Sequence, residues 1–135
     1  MNATADRDTR ERGTNQFSFP VKAGVLIHAG TLVAIEVASN LATPGRALAG
    51  LKIVGRAEKH VDNRNGIDKA ASVPVRRGMF CWANGAGADQ ITLGMVGSTA
   101  WALDDQTVGA TNGGGTRSVA GTIRDVDQTG VWVET

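Results

Sequence analysis

What most constrains this chain is the length of its apolar runs. Nowhere do apolar residues recur at helical spacing over ten residues. They come in runs of about four to eight, rich in β-branched side chains, each stopped by Gly, Asn, Asp or Pro. "FSF" ends at Pro20, "TLVAIEVA" runs into Ser39-Asn40, "LKIVGRAEKHV" into Asp62-Asn63, and "GVWVET" closes the chain. Short strands separated by turn residues predict an all-β fold. We expect a small glycine-rich β-barrel or sandwich, with a jelly-roll among the options. The 18 glycines fit that reading, because glycine enters tight turns with positive φ at little steric cost.

The pattern begins at Phe17. Residues 1–16, "MNATADRDTRERGTNQ", alternate acids and bases with no apolar period. They read as a flexible N-terminal arm, with 17–135 as one β domain. Within that domain Val33, Ile35 and Val37 share one strand face by the two-residue period. Leu51, Ile53 and Ala57 are expected to face the core, with Gly55 at a bulge or close approach. Val119, Gly121 and Ile123 share one parity in a closing hairpin turned at Gln128-Thr129-Gly130. Pro74 suggests an edge strand, since proline cannot donate to a ladder. "ADQITLGMVGS" reads as a helical turn or irregular link anchored by Ile91, Leu93 and Val96. No repeat of fixed period is visible.

Several stretches invite a chemical reading. Asp104-Asp105 are adjacent, so on a strand their carboxylates would diverge; a turn explains them better. "GATNGGGTRS" lacks the lysine ending of a phosphate loop, and no helical pattern follows it, so it reads as a hairpin tip. "DNRNGID" has too few oxygen ligands in calcium spacing and reads as a hairpin connection. His28, His60 and Cys81 lack zinc spacing, and Cys81 between Phe80 and Trp82 reads as an inert core thiol. Arg76-Arg77 near Trp82 resembles a single-strand nucleic-acid platform only weakly, because aromatics make up 4% of the chain and the net charge is +1. No catalytic, cofactor or metal site emerges, and no direct nucleic-acid or membrane partner. One cysteine permits no internal disulfide. The arm lacks the apolar run of a signal peptide, so the chain reads as soluble and made in the cytoplasm.

Four stretches in order carry a resemblance: "VGRAEKHVDNRNGIDKAASVPVRRGMFCWANG", which holds both the "VGRAE" strand and the "V-x-V-x-x-G-x-F" strand, then "ITLGMVGSTAWALDDQTV" and "RSVAGTIRDVDQTGVWVET". Over roughly residues 20–135 the chain resembles the capsid decoration, or cement, proteins of tailed bacteriophages. The resemblance implies a non-enzymatic virion protein on the outer capsid surface. It would bind the major capsid protein after the shell expands, associate as a homotrimer and clamp neighbouring capsid subunits. Arg7, Arg10 and Arg12 of the arm, with Phe17 and Phe19, are the expected capsid contacts. Trp82, Trp101 and Trp132 are candidates for the oligomer interface, although core is the favoured assignment for at least two of them. A tail or baseplate structural protein is the alternative, and an oligonucleotide-binding barrel a weaker one.

Overall fold

A computed structural model describes residues 1–135. Its twelve strands are β1 (Gln16–Pro20), β2 (Leu26–Ile27), β3 (Leu32–Glu36), β4 (Leu41–Pro44), β5 (Leu51–Ala57), β6 (Val61–Asp62), β7 (Ser72–Arg76), β8 (Met79–Asn84), β9 (Thr99–Ala102), β10 (Thr107–Gly109), β11 (Val119–Asp127) and β12 (Gly130–Glu134). The only helical turns are two 3-10 turns, Gly87–Asp89 and Leu93–Met95, in the stretch expected to be irregular. The fold is all-β, as the run lengths require.

The strands form two units. The second is a closed five-stranded barrel ordered β10-β8-β12-β11-β9, in which β10 returns to β8 in parallel. The first is a five-stranded sheet ordered β1-β7-β5-β3-β4. Its two edges meet at one parallel bridge, Val21 to Ala42, where the Lys22 amide donates to the Ala42 carbonyl at 3.0 Å. The second barrel closes at the equivalent place, Asn84 to Val108, with the Gly85 amide donating to the Val108 carbonyl at 2.8 Å. Both units are therefore five-stranded barrels rather than a sandwich or an eight-stranded jelly-roll.

The two barrels have the same strand order. Taking strands in sequence, β1, β3, β4, β5 and β7 of the first correspond to β8, β9, β10, β11 and β12 of the second. The registers agree residue by residue: Phe17 pairs with Val75 as Phe80 pairs with Val133, and Phe19 with Val73 as Trp82 with Val131. Each barrel carries a bulge at the same point. Val54 is skipped between Val33–Gly55 and Ala34–Ile53, and Ala120 between Ala100–Gly121 and Trp101–Val119. The amides of Gly30 and Gly97 donate to the carbonyls of Ala57 and Ile123, each at 2.8 Å. So the chain does contain a repeat, although not of fixed period. Equivalent residues lie 58 apart at Val75 and Val133 but 67 apart at Val33 and Ala100.

The bulges correct two face assignments, those of Ile53 and Val119. A bulge reverses which residues point inward. Val54 and Ala57 therefore fill the first barrel, while Ile53 packs on the second. Val119 is exposed although Ile123 is buried. On β3 both parities are buried, because Val33 faces the first barrel's core and Leu32 the second's; Val37 lies past the strand and is exposed. Pro74 is not at an edge, since β7 runs between β1 and β5. Its carbonyl accepts from the Glu58 amide at 2.9 Å, just past the end of β5. The missing N–H thus faces a point where the ladder has already stopped.

Several contacts fuse the barrels, among them the packing of Ile53 and the Leu32 amide donating to the Asp105 carbonyl at 2.8 Å. Leu32, fully buried, belongs to the second barrel's core together with Trp82, Ile91, Ala100, Val108, Ile123 and Val131. The Arg56 guanidinium lies over the Phe80 ring, 4.3 Å from its centroid. Ser118 donates its hydroxyl to the Leu48 carbonyl at 2.6 Å and accepts from the Leu51 amide at 3.1 Å.

Candidate interaction surface

All residues from Met1 to Gln16 are exposed, and the arm becomes strand only at Gln16. Its anchor is where β1 starts: the Arg77 amide donates to the Asn15 carbonyl at 2.8 Å. The Arg12 guanidinium sits 4.9 Å from the centroid of Phe17. Phe17 stacks on Phe19, with centroids 6.0 Å apart and planes 13° from parallel. A cation held against such a ring contributes about 0.5–1 kcal/mol at an exposed site. Of the expected arm contacts, Arg7 and Arg10 stand free in solvent and Arg12 is laid against the barrel.

Phe17 and Phe19 are half-buried, not surface residues. They stand at the end of the first barrel and, with Ile53, Val54 and Arg77, line an open cleft of about 310 Å³. Phe19 packs on the core of Val21, Val33, Val73 and Val75.

The three tryptophans part company. Trp82 is 4% exposed and fills the second barrel, because its parity on β8 points inward with Phe80, 6.2 Å away edge to face. It is core and has no surface to offer a partner. Trp132 points outward on β12 and donates its indole N–H to Asp127 at 2.9 Å. Trp101 is half-buried on the outer face of β9 and borders a second cleft of about 380 Å³, between the barrels, with Leu51, Ile53, Arg117 and Val119.

The stretches that looked chemical are turns held by their own side chains. The Asp104 carboxylate accepts from the Gln106 amide at 2.8 Å. In the glycine run, Asn112 accepts from the Gly114 amide at 3.0 Å. Arg117, the one cation of that loop, is bound to Asp89 at 2.6 and 3.0 Å and to the Thr111 carbonyl at 2.9 Å. Arg117, with help from the Thr111 hydroxyl, holds the Asp89 carboxyl below the usual carboxylate range. Asn63, 3% exposed, donates to the carbonyls of Lys22 and Ile67, each at 3.0 Å. Asp62 is paired with Arg64 at 2.7 Å, and the same contact depresses its pKa. His28 and His60 lie ring to ring at 5.4 Å, and the Cys81 thiol lies 3.6 Å from the Thr129 hydroxyl. Cys81 is half-buried on the outer face of β8, alternating with Phe80 and Trp82, and is not the core thiol expected. No three His, Cys, Asp or Glu side chains converge. Glu36 forms the densest charge cluster, with Lys22 at 2.6 Å and Arg46 at 2.9 Å. Chiefly through Lys22, its pKa falls to about 2.

No helix is long and apolar enough to cross a membrane. No family model, curated protein or solved structure matches the chain.

Proposed function

We propose that this protein is a capsid decoration protein of a tailed bacteriophage. It binds the outside of the expanded head, self-associates and clamps neighbouring major capsid subunits. The observation that supports the reading from the structure is the arm: an exposed, charged segment held to a body of two fused barrels only near its end, at Asn15 and through Arg12 on Phe17. The four-part resemblance over roughly residues 20–135 supplies the identity of the partner.

Such a protein works by differential binding. If it binds the assembled lattice and not free capsid subunits, mass action shifts the equilibrium away from disassembly. Several weak contacts linked in one oligomer act at high effective concentration, so no single contact need be strong. The arm, with Arg7 and Arg10 free, would order along the shell. Ordering it costs about 1–2 kcal/mol per residue in backbone entropy, so only part of it need be fixed.

The test is thermal melting of expanded heads with and without purified protein. A rise in the head's melting temperature is expected. It should be lost on deleting residues 1–12, with the circular dichroism of the barrels unchanged. Equal stabilisation by the truncated chain would remove the arm from the binding surface. Absence of any stabilisation by full-length protein would overturn the reading.

A further inference from the structure

The two barrels are built alike, yet their ends are not equally covered. The second barrel's wall is closed by ladders all round, so the first can reach its core only through an end. It does so with the outer face of β3 and β5: Leu32 and Ile53 pack on that core, and Arg56 lies over Phe80. The equivalent end of the first barrel, lined by Phe17, Phe19, Val54, the edge of Ile53 and Arg77, is an open and mostly apolar cleft. The face equivalent to the covering one closes no barrel end, and only its edge borders the cleft between the barrels. By register, Thr99, Trp101, Val119 and Thr122 on β9 and β11 correspond to Leu32, Ala34, Ile53 and Arg56. Val119, the counterpart of Ile53, is 50% exposed.

We propose that a second copy of this chain docks head to tail. Its β9–β11 face, centred on Val119 and Trp101, would close the Phe17–Phe19 end of the first barrel, repeating between chains the contact already made within one. One detail favours this occupant. Within the chain, Arg56 supplies the cation over Phe80; at the open end Arg12 already occupies the place over Phe17. The docking face carries the short Thr122 where Arg56 would be, so it leaves room for Arg12. The contact is heterologous, one patch meeting a different patch, so a ring of copies can close on itself. It assigns Phe17, Phe19 and Trp101 to contacts between copies. The inference gives the self-association of the proposed function a contact surface; it is argued from the duplicated architecture and does not require capsid binding.

The experiment needs only purified full-length protein. Light scattering across a dilution series should give a mass above the 14.0 kDa of one chain. Val119→Glu places a charge in an apolar contact and should weaken association about 100-fold, while Val119→Thr should weaken it far less. Phe17→Ser should also give monomers. Mixing V119E with F17S should restore one intact interface and yield dimers and nothing larger. A dimer of identical patches could not do this. If F17S fails to fold by circular dichroism, the contrast between V119E and V119T still decides. A monomeric wild type throughout the series would overturn the proposal. So would an oligomer indifferent to V119E, or one lost on deleting residues 1–12 but not with V119E.

Discussion

Alanine at Gly55 or Gly121 should be among the most damaging single changes in the molecule, and the two should be equally damaging. Both glycines sit beside the bulge of their barrel, with φ of +142° and +155°. A Cβ on Gly55 would stand 2.3 Å from the Arg76 carbonyl oxygen and 2.8 Å from Val75 Cγ1; on Gly121, 2.2 Å from the Glu134 oxygen and 2.8 Å from Val133 Cγ1. The obstacles are backbone and a β-branched side chain, so neither can swing away. Unfavourable φ costs about 1–3 kcal/mol, and forced overpacking about 1–3 kcal/mol more. Each alanine should therefore cost about 2–6 kcal/mol, a large share of the roughly 5–15 kcal/mol that holds a domain folded. Gly50 is the control: its φ is +78° but nothing lies within 4 Å, so alanine there should cost about 1 kcal/mol. Urea unfolding should show midpoint losses of about 1–3 M for G55A and G121A at an unchanged slope. Losses under about 1 kcal/mol would refute the close-approach argument. A large loss at one glycine with none at the other would refute the equivalence of the barrels.

Four further outcomes are expected. Trp82→Ala should cost about 3–5 kcal/mol by emptying the second core; Trp82→Phe should cost much less, because the indole N–H it removes is buried without an acceptor, and chemical denaturation separates the two. Trp132→Phe, which removes only the exposed bond to Asp127, should shift stability by less than about 1 kcal/mol in the same assay. Glu36 has its pKa lowered from 4.5 to about 2 in the folded state, so its stabilisation is complete above 4.5 and fades as pH falls toward 2; E36Q should flatten the loss of melting temperature across that window, and an unchanged slope would count against the Lys22–Glu36–Arg46 cluster. Asp89→Ala should release Arg117 and raise hydrogen exchange in residues 110–118 while leaving β12 protected.

The sequence was most legible where structure is decided locally. The turns at Asp104, Asn112 and 128–129 are held by side chains that bond nearby backbone: Asp104 accepts from the Gln106 amide, Asn112 from the Gly114 amide and Asp127 from the Thr129 amide. The change of composition near Phe17 coincides with the start of β1 at Gln16. What escaped was decided at a distance. The bulges at Val54 and Ala120 add one residue with no compositional mark, and they reverse the faces of Ile53 and Val119. Pro74 looked like an edge residue because the end of β5 could not be read from β7. The duplication was hidden by unequal loops: residues 58–71 join β5 to β7 by way of β6, whereas a two-residue turn joins β11 to β12. Its signals are visible once the registers are known, in "FSF" against "FCW" and "IVG" against "VAG". Of the expected contacts, Arg7 and Arg10 lie in solvent, whereas Arg12 rests on Phe17, and Phe17 and Phe19 are half-buried because they stand at the barrel's end. Core was the expectation for at least two of the three tryptophans, and only Trp82 is core, because apolar neighbours on a strand give no sign of which face points into a barrel.

The most direct measurement of the central claim is the number of copies bound to purified heads before and after expansion, counted by saturation binding and cryo-imaging. We expect saturable binding to the outside of expanded heads, in a fixed ratio to the major capsid protein, and little to unexpanded ones. Equal binding to both, or none to either, would contradict it.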